Sequence, residues 1–227
     1  MKRLPVITLD GPAGSGKSTT AREVARRLGF RHLDSGALYR ALTFALLAAG
    51  IEQEEWSRLP REAFDRFPIR LRPAGTRFEV LLGDRVLEGE LRTPEVTALV
   101  SPLSAIPAVR DWLLKAQRQA GREGALVADG RDMGTVVFPD AEIKIFLTAE
   151  LGERAFRRFL ERKGVPPTDD ELAGEAGRIR ERDERDSGRA VAPLKKADGA
   201  LVIDTSDLGF EEQVQVILDY VKTLTER

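Results

Sequence analysis

The sequence predicts an α/β protein, a parallel central sheet with helices on both faces. Three observations predict it. Short, continuously apolar runs recur at Val6-Ile7-Thr8-Leu9, Ala125-Leu126-Val127-Ala128, Ile143-Lys144-Ile145-Phe146-Leu147 and Leu201-Val202-Ile203. Strands covered on both faces read this way instead of alternating. Stretches of helical period separate the runs, and that alternation builds parallel sheets. The third observation is size: 227 residues, 42% of them hydrophobic, can bury a sizeable core as one domain with insertions.

The first run leads into Gly11-Pro12-Ala13-Gly14-Ser15-Gly16-Lys17-Ser18, which fits the phosphate-cradling pattern G-x-x-x-x-G-K-[ST]. Glycines let a backbone curl its N–H groups round an anion, and the following helix points its N-terminus at the same phosphates. Lys17 would reach the β- and γ-phosphates of a nucleoside triphosphate. Ala21, Val24, Ala25 and Leu28 then recur at helical spacing, and Gly29 stands where a helix C-cap belongs. Strand, loop and helix arrive in the order that this chemistry requires.

The middle of the chain breaks the rhythm. Residues 69–72, 77–82 and 85–87 read as short strands separated by Pro73-Ala74-Gly75-Thr76 and Gly83-Asp84, both turn chemistry. A small antiparallel meander is expected to interrupt the parallel sheet there. Past Thr148, an arginine-rich helical stretch with Arg154, Arg157, Arg158 and Arg162 stops at Gly164-Val165-Pro166-Pro167, which suggests a mobile cover. The last helix shows Phe210, Val214, Ile217, Leu218, Val221 and Leu224 on one side.

Composition excludes several classes. Net charge is -1 from 36 basic and 37 acidic residues, so no global field holds a nucleic acid or an anionic membrane. Lys2 and Arg3 precede an apolar run that stops at Asp10, too short for a signal peptide, and no run approaches a membrane span. A cytoplasmic monomer acting on small molecules is the expectation. The absence of cysteine removes disulfides, thiolate catalysis and cysteine metal sites. His32, the single histidine, reads as a packed or surface residue and not as a ligand.

A phosphate loop alone does not separate kinases, GTPases, ATPases and switches. The chain has no Asn-Lys-x-Asp guanine-reading segment and no Leu-Ser-Gly-Gly-Gln transporter signature. It has three polar clusters instead: Asp34-Ser35-Gly36-Ala37-Leu38-Tyr39-Arg40, Asp129-Gly130-Arg131-Asp132, and Arg182 to Arg189. Asp129 ends an apolar strand, as a carboxylate helping to organise Mg²⁺ would, its ordinary alternative being a helix or turn cap. Arg40, Arg131, Arg182, Arg185 and Arg189 make sense where two phosphorylated molecules meet, because guanidinium forks match phosphate. On spacing alone, Arg182 to Arg189 fits a solvated helix laced with ion pairs.

Gly11 to Thr19, Asp34 to Arg40, Ala128 to Pro139, and Arg185-Asp186 with Arg189 to Leu194 together resemble the bacterial cytidylate kinases. The resembling segments are long, in order and spread over nearly the whole chain. The resemblance implies phosphorylation of CMP and dCMP by ATP with Mg²⁺. It implies a core of residues 1–59, 101–148 and 168–227, a nucleoside-monophosphate-binding insert at about 60–100, and a lid at about 149–167 carrying Arg154, Arg157 and Arg158.

Carried over by position, Gly11 to Thr19 bind ATP. Ser101, Arg110 and Asp132 face the cytosine, while Arg40, Arg131 and Arg189 hold the acceptor phosphate. Arg182 and Asp186 lie near the sugar. Ser35 and Asp129 complete the substrate side, and Lys17, Arg131, Arg182 and Arg189 stabilise the transferring charge. Relatives often carry Gly-Thr after the loop lysine where this chain has Ser18-Thr19, so either hydroxyl could approach Mg²⁺, with Ser18 beside Asp129 the expectation. A kinase for UMP, AMP or an alcohol, and a nucleotide-gated switch without turnover, are the alternatives.

Overall fold

A computed structural model describes residues 4–225; Lys2 and Arg3 lie outside them. The chain begins with β1 (Val6–Asp10), α1 (Lys17–Leu28), β2 (Arg31–Asp34), α2 (Ser35–Ala48) and α3 (Gln53–Trp56). There follow β3 (Ile69–Ala74), β4 (Arg77–Leu82), β5 (Arg85–Leu87), α4 (Pro94–Ser104) and α5 (Pro107–Ala120). The second half comprises β6 (Leu126–Gly130), β7 (Ile143–Thr148), α6 (Leu151–Lys163), α7 (Asp169–Ser187), β8 (Leu201–Asp204) and α8 (Phe210–Thr225).

Five strands run parallel in the order β2-β6-β1-β7-β8. Every residue of β1 and β6 is buried, as continuous apolar runs require. Ile7 and Leu9 meet Ala21, Val24, Val214, Ile217 and Val221 of α1 and α8 on one face. Val6 turns to the other face, towards Leu33, Leu126 and Leu114 of α5. Each such aliphatic side chain contributes about 1.5–3 kcal/mol on burial. On α8 the apolar face is narrower than its sequence suggests, for Phe210 and Leu224 are 42% and 37% exposed.

The expected meander is present, and it continues the central sheet instead of standing apart. β4 pairs antiparallel with β3 and β5, and joins β2 in parallel through His32 and Arg77. The His32 N–H also donates to the Thr76 carbonyl at 2.9 Å. Apolar continuity explains the junction, because Leu71 and Phe78 pack onto the cluster containing Leu33 and Leu126. The sheet therefore has eight strands.

α6 stops where the sequence stops it: Gly164 takes φ 73° and its N–H donates to the Leu160 carbonyl. α7 starts on a reciprocal cap between Thr168 and Glu171. The two helices pack along each other as a hairpin. Glu175 of α7, buried, accepts Arg162 and Arg178 at 2.8 and 2.7 Å, and Arg158 stands 3.2 Å away.

Candidate active site

The carboxyl ends of β1, β2 and β6 open onto a cleft of about 1010 Å³, the place where open parallel sheets present ligand sites. At one end lies the loop after β1. Gly14 and Gly16 have φ of 77° and 80°, left-handed values that glycine adopts without strain. A Cβ on Gly11 would come within 2.2 Å of the Leu147 carbonyl oxygen, so the loop start must lack one. No side chain caps α1, and no acid lies in its first turn. Its N-terminal dipole is thus uncompensated, which favours an anion.

Lys17 is 7% exposed and donates to the Pro12 carbonyl of its own loop at 3.1 Å. Burial, then the nearby Arg131, lowers its pKa to about 7. An anion placed beside it would restore its charge.

The other end is built from side chains. Asp186, on the last turn of α7, is buried and carries three arginines: Arg131 Nε donates to it at 2.8 Å, Arg189 donates to its other oxygen, and Arg182 stands 4.0 Å away. The spacing within Arg182 to Arg189 does produce ion pairs, yet burial turns them into a cleft wall. Burial, then Arg131, lowers the Arg182 pKa to about 9. The Nε atoms of Arg110, Arg182 and Arg189 are buried and have no hydrogen-bond partner. Arg40, on α2, donates to the Leu91 carbonyl and the Thr97 hydroxyl at 3.1 and 3.0 Å.

Asp132 and Arg110 form a buried ion pair at the same end. Arg110 also donates to the Ser104 carbonyl at 3.1 Å, and its guanidinium lies 5.4 Å from the Tyr39 ring centroid. Asp10 fixes this segment to the sheet, accepting the Met133 and Gly134 N–H groups at 2.8 Å each. Burial raises its pKa to about 6 against those two bonds. Gly134 has no room for a Cβ, which would sit 2.9 Å from the Thr8 hydroxyl.

Between the two ends stands Asp129, at the carboxyl end of β6. One oxygen takes the Ser18 hydroxyl and the other meets His32 Nε2 at 2.7 Å. Burial opposes ionisation, but His32 outweighs it, together with Lys17 and Ser18, and Asp129 sits below the usual carboxylate range. Asp34 is displaced upwards instead, by burial and by the Asp129 charge; its side chain caps α2 through the Ala37 N–H at 3.1 Å. His32 is thus part of the cleft, a role that its isolated place in the sequence did not reveal.

Of the residues expected from sequence, the cleft gathers Gly14, Gly16, Lys17, Ser18, Thr19, Ser35, Arg40, Arg110, Asp129, Arg131, Asp132, Arg157, Arg158, Arg182, Asp186 and Arg189. Ala13 lines it as well, whereas Gly11, Pro12, Ser15, Ser101, Arg154 and Arg185 do not. The Ser101 hydroxyl accepts from Arg185 at 3.1 Å, while Ser104, one helical turn on, lines the cleft and accepts from Arg189 at 2.7 Å. Arg154 is 9% exposed and serves the backbone of the phosphate loop, because its guanidinium finds the Ala13 carbonyl at 2.9 Å. Arg157 donates to the carbonyl of Thr205 at 2.6 Å. Ser104 and Asp10 went unread in the sequence for want of any local motif.

A sequence model of the cytidylate kinase family matches residues 7–223. The chain belongs to the cytidylate kinase family. It is 48% identical over 222 residues to a cytidylate kinase of Methylococcus capsulatus, covering 97% of this chain and 98% of that one. It is also 48% identical over 220 residues to a cytidylate kinase of Pseudomonas paraeruginosa, covering 96% and 95%. An uncharacterized protein from Eubacterium ventriosum, 14% identical, superimposes with a TM-score of 0.51 over 98% of this chain and 99% of that one, a likeness of fold. Among the described residues no helix is long and apolar enough to cross a membrane.

Proposed function

We propose that this family member transfers the γ-phosphoryl group of ATP to CMP and dCMP, giving ADP and the cytidine diphosphates. The observation that carries the reading is the meeting, in one cleft, of a main-chain anion cradle with a second anion site made of Arg131, Arg182 and Arg189. A protein that only holds a triphosphate needs the first site and not the second.

The attacking oxygen belongs to a phosphate that is already ionised near neutral pH, so the reaction needs no general base. The loop N–H groups and Lys17 hold the donor, and Arg40, Arg131 and Arg189 hold the acceptor phosphate in line with it. Charge that develops on the transferring group falls between Lys17 and the three arginines around Asp186. Catalysis is then positioning and electrostatic stabilisation. Arg182 and Asp186 lie on the sugar side.

The residues present fit Mg²⁺. Among the described residues no cluster of three or more His, Asp or Glu could cage a metal alone. Mg²⁺ in such enzymes takes one or two protein ligands and completes its shell with waters and substrate phosphates. Ser18 and Asp129, already bonded to each other, would hold it, with Ser18 and not Thr19 the loop hydroxyl concerned. When bound it neutralises charge on the donor phosphates.

Base choice follows from Asp132 and Arg110. Asp132 accepts from the cytosine N4 amino group, and Arg110 donates to N3 or O2. Uracil presents the opposite pattern at both positions. Residues about 60–100 form the monophosphate-binding insert, and residues about 149–167, carrying Arg157 and Arg158 towards the cleft, form the lid that excludes water. The enzyme would act on small molecules, as a monomer in the cytoplasm. An ADP-release assay across CMP, dCMP, UMP, AMP, GMP and cytidine tests the reading: turnover is expected with CMP and dCMP. Equal use of UMP or of unphosphorylated cytidine would overturn it.

A further inference from the structure

We propose that Arg154 and Asp183 act as a positioning pair for the phosphate loop, gripping both polar groups of Ala13 and making the loop's affinity for phosphates depend on the seating of the α6/α7 hairpin. The proposal rests on ATP occupying that loop, as set out above. Asp183 Oδ1 accepts the Ala13 N–H at 2.9 Å, and its other oxygen accepts from Arg154. Arg154 donates from the same nitrogen to the Ala13 carbonyl at 2.9 Å, and from Nε to the Ala149 carbonyl at 2.9 Å. A closed ring results, running from Ala13 through α7 to α6 and back to Ala13. Through Ala149 the ring is also tied to the chain leaving β7.

Apolar and steric contacts reinforce the grip. The Ala13 methyl group is buried in a small cluster with Ala155 of α6 and Ile179 of α7. Gly14 lies so close to α6 that a Cβ there would stand 2.8 Å from the Arg154 carbonyl oxygen. Three successive features of the loop therefore bear on one hairpin. Lid residues Arg157 and Arg158 belong to the same helix as Arg154, so any shift of that helix reaches the loop through this ring.

Charge gives the pair a second property. Asp183 stands beside a loop that must accept a strongly anionic triphosphate, and Arg154 is the cation that neutralises it there. Removing Arg154 alone leaves a carboxylate whose field repels phosphate. Removing the Asp183 charge alone leaves a cation that does not. The two substitutions must therefore differ in sign of charge effect, and the double substitution must restore part of what Arg154→Met loses. A purely structural brace would show its recovery equally in the melting temperature and in CMP affinity, whereas this charge effect is confined to ADP.

The test is calorimetric binding of ADP with Mg²⁺, and separately of CMP, to the full-length protein and to Arg154→Met, Asp183→Asn and the double variant. Arg154→Met is expected to weaken ADP by about tenfold or more, Asp183→Asn by a smaller factor, and the double variant by less than Arg154→Met. CMP affinity should hold in all three. Arg154→Lys, which keeps the charge without the fork, covers the case in which Arg154→Met does not fold; it is expected to weaken ADP by less than Arg154→Met does, since the cation beside Asp183 remains while the fork joining Asp183, the Ala13 carbonyl and the Ala149 carbonyl is lost. Unchanged ADP affinity, equal loss of ADP and CMP, or strictly additive losses would overturn the proposal. A wild-type protein that binds ADP yet leaves CMP unphosphorylated would fail the proposed reaction alone and leave these comparisons readable.

Discussion

In the proposed reaction the two ends of the cleft would recognise phosphate by different means. The loop after β1 would do so with main chain: left-handed glycines, an uncapped helix start and one lysine. The opposite end would do so with side chains, three arginines gathered on the buried carboxylate of Asp186. A main-chain cradle is fixed by steric rules and reads nothing of the molecule beyond its phosphates. A side-chain cluster can be arranged round a particular acceptor, and here it adjoins the Asp132–Arg110 pair. On that reading the loop end would set the strength of phosphate binding and the arginine end the choice of acceptor.

The largest expected effect tests the loop end. Lys17→Ala should lower turnover by about a thousandfold while leaving the melting temperature close to wild type, since transition-state charge compensation is lost and the loop backbone remains. Steady-state kinetics beside a thermal melt check this, and near-normal turnover would remove Lys17 from its role. Next come Arg131→Ala and Arg189→Ala, each expected to cut kcat by about a hundredfold or more, with KM for ATP little changed. A rise in KM for ATP alone would erase the division between the two ends.

Asp132→Ala should act on choice more than on rate. Each uracil mismatch costs about 1–3 kcal/mol, so wild type should favour CMP over UMP by about a hundredfold or more in kcat/KM. The variant should narrow that ratio by at least about tenfold. A ratio preserved in full would show that base choice lies elsewhere. The smallest effect is a proton. Free Lys17 has a pKa near 7, lowered first by burial, so above that pH it is mostly neutral, and bound phosphate raises its pKa again. At about pH 8.5, where the ADP phosphates are already ionised, ADP binding should take up part of a proton, and affinity should fall as pH rises through the interval above 7. Calorimetry in buffers of differing ionisation enthalpy measures it; proton release would contradict the burial of a neutral lysine.

Much of the fold was legible because its signals are local. Continuous apolar runs became the parallel strands and Gly29 and Gly164 ended their helices, while the expected turn from Pro73 to Thr76 shrank to Gly75-Thr76, because Pro73 and Ala74 pair with Phe78 and Arg77 as the end of β3. Joining the meander to β2 was not legible, since it depends on a contact between His32 and Arg77 that no pattern announces. The site divides in the same way. Lys17, Ser18 and Asp129 came from motif and strand end, whereas the burial of Arg154 against Ala13 needed the hairpin's packing. The turn-by-turn geometry of α4 brought Ser104, and not Ser101, to the cleft wall.

The contact between His32 and Asp129 also has a practical side. A protein with one imidazole yields one set of ring nitrogen and carbon-bound proton resonances, free of overlap and needing no assignment by mutagenesis. Because that ring lies 2.7 Å from the carboxylate between the two ends of the cleft, its spectrum is a built-in probe. Successive additions of metal, nucleotide and acceptor can be followed there one at a time, from inside the protein and without an attached label.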